Sequence, residues 1–178
     1  MRVMLGPIDP RRRLEDLLHF TDERNLPRIR ECGGLWPTAL LRQAEIEFFP
    51  GGDDASLALD ARSGMDAYVH LCFRGAHPMA HRVVERNPGM TMKYLRIDRS
   101  IVYEPGVMFV PGVGYANGVN PVPVEDACAQ GLIDFAVLYT WMDWNDPAIQ
   151  ERRKAAELCE ILVPEQVALA FIKNMPNG

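Results

Sequence analysis

The chain has 178 residues, of which 48% are hydrophobic and 24% are charged, and its formal net charge is −5. This balance is typical of one globular domain with a sizeable core, and the negative charge argues against a protein that coats nucleic acid non-specifically. No apolar run reaches the roughly 20 residues of a membrane span, and the N-terminus lacks the apolar stretch of a signal peptide.

These features predict a single cytoplasmic domain over residues 1–178 with no membrane segment. The four cysteines agree with a reducing compartment, because they form no CxxC pair and indicate no disulfide framework. His70 and His81 show no spacing with carboxylates or cysteines that would indicate a metal. We therefore expect no metal site.

The first half of the chain is predicted to form short elements separated by one long irregular segment. The elements are a helix that starts at Asp9 and Pro10, a strand over 17–21, a helix over 26–32 that ends at Gly33, a strand over 67–73 and a helix from His77 to Arg86. Residues 37–66 lack clear periodicity and contain a turn cluster at 50–54. We predict that they form a long, partly mobile excursion.

The second half is predicted to contain more strands than helices. The elements are strands over 91–97 and 107–110, a helix over 124–130, a strand over 133–140, a helix from Pro147 to Glu157, a strand around Glu160 and a last strand over 167–172. This order is not a regular βαβ alternation, and no GxGxxG motif follows a strand. We therefore predict an α+β fold with a split, mostly antiparallel sheet and peripheral helices.

Charge is distributed unevenly along the chain. Residues 71–103 hold six bases and two acids, whereas residues 44–70 hold six acids and one base, Arg62. A local basic face for a polyanion and an ordinary solvated surface are both consistent with this distribution.

Glu160 lies in a short apolar run, residues 158–164, that is typical of a buried strand. A carboxylate in such a strand is costly to desolvate unless it has a partner or a task. From these residues alone, a catalytic carboxylate and an edge glutamate that reaches solvent are both open. Cys159 points to the opposite face of the strand and is interpreted as a core residue.

Three segments, taken together with the Glu160 strand, resemble the DarT family of bacterial ADP-ribosyltransferase toxins. The segments are Leu18-His19-Phe20-Thr21, the strand from Tyr68 to Phe73, and His77-Pro78-Met79. The resemblance extends from about residue 17 to residue 172. It implies an ADP-ribosyltransferase fold, NAD as a substrate, and an acceptor base in single-stranded DNA, with RNA as the alternative acceptor. It also implies a toxin restrained by an antitoxin such as a macrodomain ADP-ribosylglycohydrolase.

The same resemblance suggests roles around the dinucleotide. Glu160 would stabilise the positive charge that develops on ribose, and the strand with His19, Phe20 and Thr21 would hold NAD. Asn25 either contacts the dinucleotide or caps the helix that follows it. Arg62 would contact both NAD and the base and would assist Glu160 in catalysis when the base is deprotonated, although Arg42 is a rival and a solvated loop residue is the alternative for Arg62.

Acceptor recognition is predicted near the Glu160 strand. Trp141 and Trp144 precede the helix that leads to Glu160, where aromatic rings suit stacking on an unpaired base, and Arg74 would face the nucleic-acid backbone. We expect at least one of the two tryptophans to anchor its loop in the core instead. Leu158 stands where arginine-directed relatives carry an acidic residue, so arginine side chains are not the expected acceptor. A rival from another class is a catalytically silent protein that binds a nucleotide or a partner in the same cleft.

Overall fold

The fold is built on a six-stranded antiparallel sheet. The computed structural model describes residues 8–50, 54–75, 80, 83–85, 87–112 and 120–176. The strands within these ranges are β1 (Leu17–Asp22), β2 (Gly34–Leu35), β3 (Tyr68–Cys72), β4 (Met92–Ile97), β5 (Met108–Val110), β6 (Val122–Pro123), β7 (Glu160–Pro164) and β8 (Val167–Ala168). Six of them form one sheet in the order β4-β1-β3-β7-β5-β6, and β2 pairs with β8 in a second, small sheet. All these pairings are antiparallel, which confirms the predicted fold class.

Short helices surround the sheet. The α-helices of the described residues are α1 (Leu26–Glu31), α2 (Thr38–Gln43), α3 (Asp54–Ser63), α4 (Val124–Ala129), α5 (Phe135–Tyr139) and α6 (Pro147–Glu157). Short 3₁₀ helices lie at Pro10–Arg13, Glu23–Asn25, Met65–Ala67, Arg99–Tyr103 and Leu169–Phe171. In the part of the chain that the structure describes, no helix is long and apolar enough to cross a membrane.

The sheet is split between β1 and β3. β1 pairs with β4 along its whole length, from Leu17 to Asp22, whereas it pairs with β3 only at Leu18 and Cys72. The two strands separate beyond that point, while the other edge of β3 stays paired with β7 from Tyr68 to Cys72. The separation opens a cleft beside the centre of the sheet.

The main core packs against one face of the sheet. Leu17, Leu71, Leu95, Phe109 and Ile161 are almost fully buried there. They occupy alternate positions of neighbouring strands, as expected for the inward face of a pleated sheet. The opposite face carries a smaller apolar cluster of Met65, Val110 and Leu162.

Glu160 lies on the face of the smaller cluster. It is paired with Cys72 of β3 on one side and Val110 of β5 on the other, and directly opposed residues share a face. The alternation that buries Ile161 in the main core therefore places Glu160 outside it, in the middle of the sheet.

Most of the predicted elements are confirmed within one or two residues. Helix α6 shows why, because Asp146 accepts a hydrogen bond from the backbone N–H of Ala148 at 2.8 Å and Pro147 occupies the first helical turn. The predicted helix from His77 to Arg86 lies largely outside the described residues.

The prediction of a strand over 133–140 is wrong, because this segment contains helix α5. The side chain of Asp134 accepts a hydrogen bond from Val137 N at 3.2 Å and caps the helix. Phe135 and Tyr139 pack four residues apart, with their ring centroids at 6.1 Å. A short apolar run does not distinguish a buried strand from a buried helix by its periodicity.

Two further predictions need correction. Residues 37–66 are not an irregular excursion, because they contain α2 and α3. The last strand does not extend over 167–172: β8 ends at Ala168 because its partner β2 has two residues, and a 3₁₀ turn follows before Ile172 bridges to Ile97.

Gly34 provides a test of the close approach between β2 and β8. Its φ is +152°, and a Cβ atom there would overlap the carbonyl oxygen of Val167 and lie 2.9 Å from Cα of Ala168. Because the obstructing atoms are backbone atoms, Gly34→Ala should lower the free energy of unfolding by at least about 1–3 kcal/mol. Urea denaturation measures this change.

The matched control is Gly89→Ala, since a Cβ atom at exposed Gly89 would meet open space. Equal stability of the two variants would contradict the packing of β2 against β8.

Candidate active site

The cleft between β1 and β3 brings together most of the predicted site residues. Its sheet side is lined by His19, Phe20, Thr21, His70, Cys72 and Glu160. Glu160 is 6% exposed, so its carboxylate is largely removed from water. This is a setting in which a charge acts strongly on a bound cationic group.

The carboxylate of Glu160 is paired with the imidazole of His70. Nδ1 of His70 lies 3.1 Å from Oε2 of Glu160, and Nε2 of the same ring lies 3.0 Å from the carbonyl oxygen of Met65. Burial opposes protonation of His70, but the charge of Glu160 and its hydrogen bond outweigh burial and raise the pKa to about 9. His70 is therefore an imidazolium at neutral pH.

His19 lies on the other wall of the cleft. Its Nδ1 is 3.0 Å from the carbonyl oxygen of His70, a group that only accepts, so Nδ1 carries the hydrogen. Burial lowers the pKa of His19, and the ring is therefore neutral at pH 7. In this tautomer Nε2 is an acceptor, which suits a ribose hydroxyl.

Asn25 shapes the mouth of the cleft. Its Nδ2 donates to Oγ1 of Thr21 at 3.1 Å and to the carbonyl oxygen of Phe49 at 2.8 Å, and its Oδ1 accepts from Phe49 N at 2.8 Å. Its side chain makes no capping hydrogen bond to α1. The predicted role of the Asn25 side chain as a helix cap is therefore wrong. Asn25 instead fastens the segment around Phe49 to β1.

A second carboxylate, Asp60 of α3, also lines the cleft. Burial raises its pKa, the imidazolium of His70 lowers it, and Glu160 raises it further. The cleft thus contains two carboxylates, Asp60 and Glu160, and the imidazolium of His70 interacts electrostatically with both.

The amino-acid sequence matches the model of a known protein family over most of its length. Residues 18–176 match the model of the family described as ssDNA thymidine ADP-ribosyltransferase, DarT. The chain belongs to the DarT family. Membership confirms the resemblance to the DarT family that the sequence indicated, and the family description names single-stranded DNA and not RNA. The family description also specifies thymidine as the nucleoside.

Solved DarT structures share the fold at low sequence identity. Thermus sp. 2.9 DarT in complex with ADP-ribosylated ssDNA has a TM-score of 0.68 and 16% identity, with 89% of this chain and 78% of that chain covered. The NAD+ complex of the same protein has a TM-score of 0.63 and 17% identity, with coverages of 88% and 78%. Thermosipho africanus DarTG in complex with ADP-ribose has a TM-score of 0.67 and 17% identity, with coverages of 89% and 43%. The present chain thus spans less than half the length of the Thermosipho chain. No curated protein sequence matches it.

The predicted arginine of this DarT chain does not reach the cleft. Arg62 is exposed in the last turn of α3, and its rival Arg42 lies 3.7 Å from Asp66 in an ion pair; neither lines the cleft. Arg28 of α1 does line it, 48% exposed and 2.6 Å from Glu31. Sequence reasoning missed Arg28, because its spacing in the chain resembles that of any solvated helix residue.

The two tryptophans before α6 are in different environments. Trp144 is half-buried against the main core, and the guanidinium of Arg153 lies 4.9 Å from the centroid of its ring. Trp141 is 83% exposed. The expectation that one tryptophan anchors the loop fits Trp144, which leaves Trp141 as the better placed ring for an unpaired base.

Arg74 is exposed and donates a hydrogen bond to the carbonyl oxygen of Leu138, near the end of α5. It therefore ties the end of β3 to the helix that precedes the Trp141 loop. Two of the six bases of residues 71–103 are ion-paired, since Lys93 pairs with Glu23 at 3.0 Å and Arg96 with Asp16 at 3.6 Å. These acids lie outside residues 71–103, so the local charge count overlooked them.

The cysteines near Glu160 are poorly suited to act as nucleophiles, because burial disfavours their thiolate forms. Burial raises the pKa of Cys72 to about 12 and also raises that of Cys159, whose Sγ donates to the carbonyl oxygen of Ala155. The four cysteines are free. Within the described ranges, no group of three or more acidic, histidine or cysteine side chains could hold a metal ion.

Asn25→Ala tests whether the Phe49 segment forms part of the site. Loss of buried hydrogen bonds should lower the free energy of unfolding by about 1–3 kcal/mol. The Michaelis constant for NAD should rise as well, because the segment that lines the cleft loses its attachment to β1. Urea denaturation and steady-state kinetics measure the two effects.

Asn145→Ala, in the exposed loop before α6, is the control and should change neither quantity. An unaltered Michaelis constant in a destabilised Asn25→Ala protein would remove the Phe49 segment from the NAD site.

Proposed function

We propose that this chain transfers ADP-ribose from NAD to the base of thymidine in single-stranded DNA. The bond between C1′ of ribose and nicotinamide breaks, and nicotinamide leaves with the electron pair. A bond then forms between C1′ and an atom of the base, which gives up its proton. The proposal is supported above all by a buried carboxylate, Glu160, at the centre of the cleft of a DarT-family fold.

Glu160 is proposed as the catalytic carboxylate. Positive charge develops on the ribose as nicotinamide leaves, and a fixed carboxylate in a site shielded from water stabilises that charge. The same group can accept the proton of the base. Glu160 is thus proposed to serve both halves of the transfer.

The remaining cleft residues are proposed to hold the dinucleotide. His19 in its Nδ1–H tautomer would accept a hydrogen bond from a ribose hydroxyl, next to Phe20 and Thr21 on the same strand. Arg28 replaces Arg62 as the proposed partner of the pyrophosphate, since it is the arginine that lines the described cleft. Asn25 acts on NAD through the segment that it fastens.

Trp141 is proposed to stack on the acceptor base, and Arg74 to keep the loop that carries Trp141 close to β3.

Glu160 and His19 line the same cleft, which favours an enzyme over a catalytically silent binding protein. We propose that residues 1–178 act as one domain, in the cytoplasm, without a metal. The DarTG name of the Thermosipho relative supports a toxin with a partner antitoxin. An ADP-ribosylglycohydrolase of the macrodomain type is the proposed antitoxin activity.

Glu160→Gln should abolish transfer and leave NAD binding close to that of the wild type. The substitution keeps the size of the side chain and an oxygen that accepts from His70, but removes the charge that acts in the transition state. We expect the turnover number to fall by at least about 10²–10³-fold, as for other charge-stabilising groups. Nicotinamide release and calorimetric NAD binding measure the two properties.

Glu165→Gln is the matched control, because Glu165 follows the same strand and is exposed. A Glu160→Gln variant within about tenfold of wild-type turnover would exclude Glu160 from the mechanism.

The acceptor should be thymidine in an unpaired strand. Labelled NAD should mark a single-stranded oligonucleotide that contains thymidine, but neither one without thymidine nor an RNA strand. Annealing the complement should abolish most of the label, because unpairing a base costs a few kcal/mol. Label that appears only on RNA or on protein would overturn this proposal.

Trp141→Ala should weaken DNA modification by about 5–150-fold, the equivalent of about 1–3 kcal/mol of stacking on one base. NAD hydrolysis without DNA should change little. Trp144→Ala is the contrasting variant and should lower the melting temperature, because its ring packs against the core. Equal loss of both activities in Trp141→Ala would show that the ring does not act on the acceptor.

A further inference from the structure

Glu160 and His70 form a pair in the cleft, and His70 has no role in the transfer described above. Both nitrogens of the imidazole are engaged by oxygen atoms, Nδ1 by Oε2 of Glu160 and Nε2 by the carbonyl of Met65. A carbonyl only accepts hydrogen bonds, so Nε2 carries a hydrogen. The position of the second hydrogen, on Nδ1 or on the carboxylate, depends on the surrounding charges.

The charges that face His70 favour the imidazolium. Glu160 on β7 and Asp60 on α3 are carboxylates, His19 on β1 is neutral, and the thiol of Cys72 on β3 stays protonated. Burial opposes the charged ring, yet the two carboxylates and the Met65 carbonyl raise its pKa to about 9. The pair is therefore an imidazolium and a carboxylate at neutral pH.

The far end of this contact is fixed by packing. Met65 begins the 3₁₀ turn that leads into β3, and its side chain is 8% exposed in the cluster with Val110 and Leu162. Its carbonyl therefore sets the plane of the imidazole, and the imidazole in turn sets the position of the carboxylate. The resulting chain of contacts connects the smaller apolar cluster to Glu160.

We propose that His70 is a positioning residue for Glu160, holding the carboxylate ionised and aligned through Nδ1 while the Met65 carbonyl holds the ring through Nε2. The proposal rests on the role of Glu160 in the proposed function. A carboxylate that is buried without a cation tends to take up a proton, which would remove the charge needed by the ribosyl cation. The hydrogen bond with His70 uses one of the carboxylate's roughly four acceptor sites.

Two substitutions separate the two contacts of the ring. In His70→Asn the amide nitrogen replaces Nδ1, so the donor to Glu160 is kept and the contact with Met65 is lost. In His70→Gln the amide nitrogen replaces Nε2, so the donor to Met65 is kept and the contact with Glu160 is lost. The two variants are of similar polarity, and each retains one buried hydrogen bond.

His70→Gln should lower the turnover number by about 10²-fold, the usual consequence of a misplaced reacting group, whereas His70→Asn should stay within about tenfold of the wild type. We expect the Michaelis constant for NAD to be unchanged in both, since both ring nitrogens of His70 are engaged by oxygen atoms of the protein. Nicotinamide release with and without DNA measures these values. Equal loss in the two variants, or full activity in His70→Gln, would overturn the proposal.

The protonation of the ring supplies a test that does not depend on activity. Nitrogen-15 NMR of the imidazoles, with His70 assigned by its absence in His70→Asn, should show both nitrogens protonated at pH 7 and a deprotonation near pH 9. Wild-type turnover should fall across the same range, and this alkaline decline should be absent in His70→Asn. A ring that titrates near 6.5 would overturn the proposal whatever the activity of the two variants.

The two proposals fail in different ways. A wild-type protein that neither releases nicotinamide nor labels DNA would contradict the proposed function, whereas the NMR titration would still establish or exclude the pairing of His70 with Glu160. A fully active protein with a neutral His70 at pH 7 would leave the proposed function standing and remove the positioning role.

Discussion

The carboxylate of Glu160 is buried in the middle of a sheet, and this constraint determines what can surround it. Removing a carboxylate from water costs several kcal/mol unless a cation and hydrogen bonds replace the solvent. β7 lies between β3 and β5, so side chains of these neighbouring strands can provide a compensating group on the same face. β3 supplies it as His70, and the neutral thiol of Cys72 opposite Glu160 adds no second negative charge there.

The same sheet geometry provides the space in which this charge can act. β1 separates from β3 after a single pair of residues, so His19 and Thr21 face the strand that carries His70 across a gap instead of hydrogen bonding to it along a ladder. Asn25 then brings the backbone of Phe49 against Thr21, and the guanidinium of Arg24 lies 3.7 Å from the centroid of the Phe49 ring. Satisfied buried hydrogen bonds rigidify a site, so these contacts hold the Phe49 segment against β1.

Local signals in the sequence were enough to predict the fold class and the buried strand that carries Glu160. Capping residues such as Asp146 and Pro147 act within a few positions, and an apolar run around Glu160 is visible without knowledge of its neighbours. Residues 133–140 show the limit of such signals. The apolar run is consistent with a strand or a helix, and the N-cap at Asp134 favours the helix that forms. The pairing of His70 with Glu160 joins residues 90 positions apart, and no spacing rule indicates it. Arg28 and Arg62 illustrate the same limit, since both lie on short helices and only the tertiary packing brings one of them to the cleft.

Electrostatics and stacking together indicate how an acidic chain can still act on DNA. The net charge is −5, and the bases of β4 are paired with acids from other parts of the chain, so long-range attraction to a phosphate backbone is weak. Duplex DNA binds mainly through that attraction, whereas an unpaired base also offers a flat apolar face. Trp141 presents such a surface to solvent, on a loop that Arg74 connects to β3 through Leu138. A single strand can therefore be held by its bases at a distance from the basic residues. The net charge of −5 then favours selectivity, because it gives duplex DNA little electrostatic attraction to the protein.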